Sequence, residues 1–302
     1  MELLKINGNT YYIKAPTNAG VYLFNNRDCL LIDTCFTDKQ AHQIDKILKE
    51  NNFNLRYIIN THTHLDHCRG NLYFQETYPE CKVFASEQER PFMEHPYLLG
   101  AIFFSASPLK HLDPAPPSFP VDHYLKPGTH DLGGKPFRVI PLPGHTRGQI
   151  GIVTPDRVCF LGDSIFSRQV IIKYSLPYLF DLEGSIKTLH FLPEIDADYF
   201  LLSHEEGVIA SKDLPDLVSY NLANIEKFQQ QILALLKQPL SREQLVKEIS
   251  LSNNIVLNLL EYHVIQTTVS AFLTYLNQQG LITYTIDQGR LYFHQPQPVN
   301  SQ

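Results

Sequence analysis

The sequence predicts a layered α/β domain followed by a small helical module that ends in a hairpin. Three observations carry that expectation: short apolar runs around one amphipathic stretch in the first 60 residues, a return of strand-like runs from Phe137, and a helical texture after Ser211. At 302 residues the chain exceeds the usual single-domain size, so one large domain with a smaller appendage is expected.

The elements follow in order. Val21 to Phe24 and Cys29 to Ile32 are apolar runs flanking Asn25-Asn26-Arg27-Asp28, a polar segment of hairpin-loop length. Asp38 to Asn51 places Ile44, Ile47 and Leu48 at helical spacing, which predicts an amphipathic helix. Tyr57-Ile58-Ile59 is a short buried-strand signal that runs directly into Thr61-His62-Thr63-His64. Residues 91–130 hold Pro91, Pro96, Pro108, Pro114, Pro116, Pro117, Pro120 and Pro127 with Phe103, Phe104 and Phe119, and are expected to form a long irregular, lid-like connection over the active site. Phe137 to Ile140, Ile150 to Val153, Val158 to Leu161 and Tyr199 to Leu202 read as strands, and His145, Asp163 and His204 closely follow three of them. Strand ends are where an α/β scaffold holds chemistry rigidly.

Beyond Ser211, Leu217 to Leu236 is amphipathic and Ser241-Arg242-Glu243-Gln244 has the pattern of a capping box opening a second helix. Val264 to Gln279 reads as a third helix stopped by Gly280; Leu281 to Tyr284 and Arg290 to His294 then alternate around Asp287-Gln288-Gly289, a hairpin signal. The expected division is a catalytic domain over 1–210, a winged-helix-like domain over 211–294 and a disordered polar tail over 295–302.

Bulk properties exclude several classes. Hydrophobic residues are 43% and charged residues 19%, an ordinary globular balance that a disordered chain lacks. A net charge of −6 gives no electrostatic basis for nucleic acid or an anionic membrane as partner. The five cysteines are odd in number and form no C-x-x-C pair, which argues against a disulfide framework or zinc knuckle and fits a reducing compartment. Glu2, Lys5 and Asn7 interrupt the apolar stretch a signal peptide needs, and no run approaches the ~18 apolar residues of a membrane span. A soluble, cytoplasmic protein is expected.

The chemistry concentrates in His62-Thr63-His64-Leu65-Asp66-His67, four metal-ligating side chains in six residues. His62 and His64, two apart on extended backbone, project to the same side. Asp66 and His67 come where the chain turns and can reach a second point a few ångströms away. Imidazole with carboxylate suits zinc, iron or manganese, with no need of thiolate.

This segment resembles the H-x-H-x-D-H signature of the metallo-β-lactamase superfamily, and further motifs of that family appear in order. Pro143-Gly144-His145-Thr146 resembles its P-G-H-T, Gly162-Asp163-Ser164 its G-D-x and Ser203-His204 its terminal histidine, over roughly residues 10–210. The resemblance implies a four-layer αββα fold and two divalent metal ions, with Zn²⁺ expected and Fe or Mn as alternatives. By the same resemblance His62, His64 and His145 hold one ion, Asp66, His67 and His204 the other, and Asp163 bridges them. It implies a bridging hydroxide as the reactive species, with Asp66 orienting it and shuttling its proton. Where many members read D-H-x-G-G, this chain reads Asp66-His67-Cys68-Arg69-Gly70, so Arg69 is expected either in a structural ion pair or facing an anionic substrate. Arg168, Lys173 and Tyr174, in the segment after Asp163, have the chemistry of a clamp for a carboxylate or phosphate.

An aspartate at 163 resembles the glyoxalase II-like branch; true β-lactamases usually carry cysteine or serine there, so antibiotic cleavage is not expected. The C-terminal module resembles the winged-helix appendage of another branch, some of whose members cleave RNA. Yet residues 211–302 hold six basic against seven acidic residues, and Val264 to Gln279 contains no Lys or Arg, so a nucleic-acid partner is not expected. The leading expectation is hydrolysis of an ester or thioester-type acyl bond in a small, anionic molecule, with the module expected to pack on the catalytic domain or on a second subunit. The alternatives are a phosphodiesterase or ribonuclease of the same fold, and an iron-dependent oxidase or ligand sensor.

Overall fold

The computed structural model describes residues 1–107, 109, 118–204 and 207–296. Two sheets lie face to face. The first runs in chain order through β1 (Glu2–Asn7), β2 (Thr10–Lys14), β3 (Ala19–Leu23), β4 (Asp28–Ile32), β5 (Asn54–Ile59), β6 (Lys82–Ser86) and β7 (His123–Leu125), antiparallel up to β4 and parallel from there. The second holds β8 (Gly128–Leu132), β9 (Lys135–Pro141), β10 (Ile150–Val153), β11 (Val158–Phe160), β12 (Tyr199–Leu201) and β13 (Ile209–Ala210), with only β11 and β12 parallel among its described pairs.

Helices cover the outer faces. On the first sheet lie α1 (Asp38–Glu50), the short α2 (Leu65–Cys68) and α3 (Asn71–Thr77), followed along the chain by α4 (Arg90–Glu94) and α5 (Tyr97–Phe104). On the second lie α6 (Arg168–Tyr174) and α7 (Leu182–Phe191), then α8 (Leu214–Leu235), α9 (Arg242–Ser252), α10 (Leu259–Gln278) and the hairpin β14 (Thr283–Asp287) and β15 (Arg290–His294).

Burial explains the four layers. Tyr22, Phe24 and Phe84 from one sheet pack on Phe137, Ile152 and Phe160 from the other. The opposite face of the first sheet packs Val21, Leu31 and Ile58 on Ala41, Ile44 and Leu48 of α1 and Phe74 of α3. A third cluster runs from Cys159 and Leu161 through Leu189 of α7 to Phe228, Ile249 and Phe272, so the C-terminal helices share an apolar core with the second sheet. Burial of this kind is the main favourable term in folding.

Local chemistry sets the helix ends. Thr37 and Gln40 form a reciprocal capping box on α1, as Ser241 and Gln244 do on α9. A third box, Asn258 with Glu261, starts α10 at Leu259 rather than at the expected Val264. In the connection expected to be irregular over 91–130, the described residues instead form α4, α5, β7 and the start of β8, while 108 and 110–117, with Pro108, Pro114, Pro116 and Pro117, lie outside the described residues. The prolines explain why. Pro91 lies in the first turn of α4 and Pro96 is the residue that opens α5, positions where a missing N–H costs the helix nothing. Of the tail expected to be disordered, Gln295 donates from its backbone to Leu236 (2.9 Å) and from its side chain to Leu233 (2.8 Å), while 297–302 lie outside the described residues. Among the described residues no helix is long and apolar enough to cross a membrane.

Candidate metal centre

Four loops, each leaving the end of a strand, meet at one edge of the sheet pair. After β5 the chain stays extended through His64, the residue that caps α2, and Asp66 and His67 fall in the single turn of that helix. Gly144 sits at φ +141°, and a Cβ there would lie 2.3 Å from Ser185 Oγ, so the loop carrying His145 closes against α7 only with glycine. Asp163 leaves β11 and His204 leaves β12.

These loops bring the seven residues into two adjoining groups, His62, His64 and His145 in one, Asp66, His67, Asp163 and His204 in the other, with the ligand atoms of each group within 4.8 Å of one another. His64 Nδ1 is 3.1 Å from His62 Nε2 and 2.8 Å from His145 Nε2. His204 Nε2 lies 3.3 Å from Asp66 Oδ2 and 3.4 Å from Asp163 Oδ2, and His67 Nε2 lies 3.4 and 3.6 Å from the same two carboxylates. Asp163 also reaches His145 Nε2 at 3.5 Å, which places its carboxylate between the groups.

The remaining ring nitrogens are tied down. His145 Nδ1 donates to the Tyr178 carbonyl (3.1 Å), His204 Nδ1 to that of Pro16 (2.8 Å) and His67 Nδ1 to Asp33 Oδ2 (2.8 Å). Each bond turns Nε2 into the cluster and fixes the tautomer.

The residues fit divalent metal. Two donors ~2.1 Å from a tetrahedral ion lie about 3.4 Å apart, the spacing seen here. His67 Nε2 is buried and accepts or donates no hydrogen bond, although it faces two carboxylates. An orphaned polar atom aimed into a cluster of ligand-type groups is the mark of a coordination site.

Protonation divides the groups. Burial first, then the neighbouring imidazoles, holds His62 far below the ordinary histidine range. Burial likewise takes His64 down to about 4 and His145 to about 3, so these three stand neutral and ready to coordinate. Burial opposes charge on His67 and His204 too, but there carboxylates win. Asp66, Asp163 and Asp33 hold His67 well above its ordinary value, and Asp163 with Asp66 raises His204 to about 10. Ions bind neutral imidazole, so filling the second group at pH 7 must expel both protons and filling the first none. Zinc titration of metal-free protein at pH 7, followed by an indicator dye in weak buffer, is expected to release at least two protons per chain, those of His67 and His204 in addition to any lost by metal-bound water. His204→Ala is expected to lower the count by one; metal uptake without proton release would contradict this electrostatic picture.

Two residues of the site escape a reading of the sequence. Asp33, at φ +62° directly after β4, accepts from the Thr61 amide and hydroxyl (2.8 Å each) as well as from His67. Its one signal is an acidic residue immediately after a buried strand. Glu89, 1% exposed, accepts from the amide and hydroxyl of Thr63, the Thr146 hydroxyl (2.8 Å) and the Gly148 amide (2.9 Å), joining the loops of His64 and His145. Nothing in Ser86-Glu87-Gln88-Glu89-Arg90 signals this, because the run reads as a solvated turn.

The four expected substrate contacts take other partners. Arg69 lies 3.6 Å from Asp38 at the start of α1, the structural ion-pair alternative. Arg168 pairs with Asp216 at 2.6 Å and stacks on Tyr220, bracing α6 against α8. Lys173 rests over the ring of its neighbour Tyr174, which is half-exposed. Arg168, Lys173 and Tyr174, expected as an anion clamp, all fall in α6, where Arg168 is paired with Asp216 and Lys173 lies over the Tyr174 ring. Cys68 is fully buried with its thiol pushed upward by that burial, a small apolar filler beneath α2.

The family profile described as Metallo-beta-lactamase superfamily matches residues 13–204, and the chain belongs to that superfamily. More particularly, its similar curated relatives include a hydroxyacylglutathione hydrolase of Buchnera aphidicola subsp. Baizongia pistaciae, 29% identical over 48% of this chain and 46% of that protein. Glyoxylase B2 of Dictyostelium discoideum is 28% identical over 44% of this chain and 43% of that protein. The chain thus spans about half the length of the curated relatives it matches. A metallo-beta-lactamase family protein from Thermus thermophilus has the same fold at TM-score 0.74 and 20% identity, covering 95% of this chain and 99% of that one. A beta-lactamase domain protein from Burkholderia ambifaria matches at TM-score 0.74 and 14% identity over 98% and 94% of the two chains.

Proposed function

We propose that the chain is a metal-dependent hydrolase of ester or thioester-type acyl bonds in a small molecule. The observation that carries the reading is Asp163, a carboxylate within 3.6 Å of histidines from both groups. A bridging carboxylate suits a pair of hard or borderline ions, for which Zn²⁺ is the first choice. Two bound ions supply an activated water and polarise the substrate's acyl oxygen.

The chain's own residues do the rest. His62, His64 and His145 hold one ion; Asp66, His67 and His204 hold the other. Asp66, partly exposed and accepting from Thr17 Oγ1 at 3.3 Å, is held ionised by His67 and His204 and would orient the attacking water. Asp33 holds His67 in register. The hydroxyacylglutathione hydrolase relatives support thioester chemistry. A cytoplasmic location goes with this function.

The test is a paired assay on protein of known metal content, using p-nitrophenyl butyrate and S-lactoylglutathione against bis-p-nitrophenyl phosphate. Acyl turnover that tracks zinc stoichiometry is expected. Turnover of the diester alone would overturn the assignment in favour of the phosphodiesterase alternative.

A further inference from the structure

Beside His64 and His145 lies a narrow slot of about 60 Å³, walled by Phe92, Leu99, Ile102, Phe103, Tyr178 and Phe180. Leu99, Ile102 and Phe103 are one face of α5, at helical spacing. Phe103 stands 6.5 Å from the His64 ring and 5.3 Å from Tyr178, whose ring stacks edge-on to His64 (5.5 Å) and His145 (5.2 Å). The slot therefore touches the first metal group. Its charged neighbours are Glu89, already occupied by donors from Thr63, Thr146 and Gly148, and Arg147, which is exposed at the rim.

Both walls are held by the C-terminal module. No residue of α5 is buried, so the helix has little core of its own. Its Phe104 packs on His263 of α10 with ring centroids 4.3 Å apart. The opposite wall, the 178–180 segment, is anchored where the Leu179 amide donates to Thr268 Oγ1 at 3.2 Å; Thr268 is fully buried and donates in turn to the Val264 carbonyl.

We propose that this slot receives a short apolar acyl group and that α10, through His263 and Thr268, sets its width, making the C-terminal module the specificity element of the active site. The proposal rests on the acyl-hydrolase reading above. A volume of about 60 Å³ suits on the order of five heavy atoms, a butyryl- to hexanoyl-sized group. A charged acyl group would lose hydration against the Phe92, Leu99, Ile102, Phe103 and Phe180 side chains, leaving Arg147 as the cation lining the slot among the described residues. Thr268 and His263 are positioning residues: they touch the walls, never the substrate.

The experiment is a chain-length series of p-nitrophenyl esters with one leaving group, from acetyl to decanoyl, with succinyl as the charged member. We expect kcat/KM to rise about fourfold per methylene up to the slot's capacity and fall beyond it. Ile102→Phe is expected to move the optimum to shorter chains. Thr268→Val is expected to flatten the slope at unchanged zinc content, chiefly through KM, and Thr268→Ser to restore it; His263→Ala should act in the same direction as Thr268→Val. Calorimetry gives a reading independent of turnover, with hexanoate binding the zinc-loaded protein more tightly than acetate. A flat series, or succinyl preferred to butyryl, overturns the slot; a slope that survives in both α10 variants overturns the module's role. Either result leaves acyl hydrolysis standing. Absent ester turnover beside diester turnover would instead remove the proposed function, and the hexanoate measurement would still judge the slot.

Discussion

Asp163→Asn is expected to abolish acyl hydrolysis and reduce bound zinc from two ions to at most one per chain. The carboxylate is 3.4 Å from His204, 3.5 Å from His145 and 3.6 Å from His67, so a single side chain faces both groups. An amide presents one weak acceptor and an N–H₂ that faces ligands instead of accepting from them. It also removes a negative charge from beside His204 and His67, the two imidazoles that carboxylates keep protonated. Loss of one group that stabilises developing charge costs about 10²–10³ in rate, and a group shared by two ions should exceed that. Metal analysis by mass spectrometry and kcat/KM on a butyryl ester check the result. Two zinc ions retained with rates within tenfold of the parent would show that Asp163 is not a ligand.

Glu89→Ala is expected to have the largest structural effect of any single change away from the ligands. The carboxylate accepts from two backbone amides and two hydroxyls on the loops of His64 and His145. Its removal strands those donors in a buried place, at a cost of about 1–3 kcal/mol for each unsatisfied group that cannot relax. A net loss of about 4 kcal/mol, or ~6 °C in Tm for a chain of this length, is the expected magnitude. The two loops would also lose their common anchor, so affinity for the first ion should fall by ~10–100-fold, as with other supports of metal ligands. Thermal unfolding in the presence and absence of zinc separates these effects. An unchanged Tm would mean that the loops are held by β5 and β9 alone.

The ligand candidates were legible because metal chemistry limits residue type severely. His62, His64, Asp66 and His67 fall within six positions, and His145, Asp163 and His204 each follow a strand by a few residues. The amphipathic α1, the buried-strand signal of β5 and the Ser241 capping box were visible for similar reasons, since their patterns are local. Asp33 and Glu89 were not visible. Each is one acidic residue in a polar run, and what distinguishes it is the set of donors that other segments bring to it. The pairing of Arg168 was hidden on the same ground: Arg168 lies a few positions after Asp163 in the chain, but its partners Asp216 and Tyr220 come from a helix about fifty residues away.

By itself, then, the order of residues determined the superfamily, the layered α/β class and the list of candidate metal-ligating side chains with its division into two groups, because those depend on spacing and on what each side chain can coordinate. Only the tertiary structure decided that Asp33 and Glu89 support the two groups, that α5 and Tyr178 enclose an apolar slot beside one of them, and that α10 braces both walls. Those features arise from contacts between segments such as Phe104 with His263 and Leu179 with Thr268, some 160 and 90 positions apart. Folding brings such segments together through burial, which is non-directional and leaves no local pattern to read.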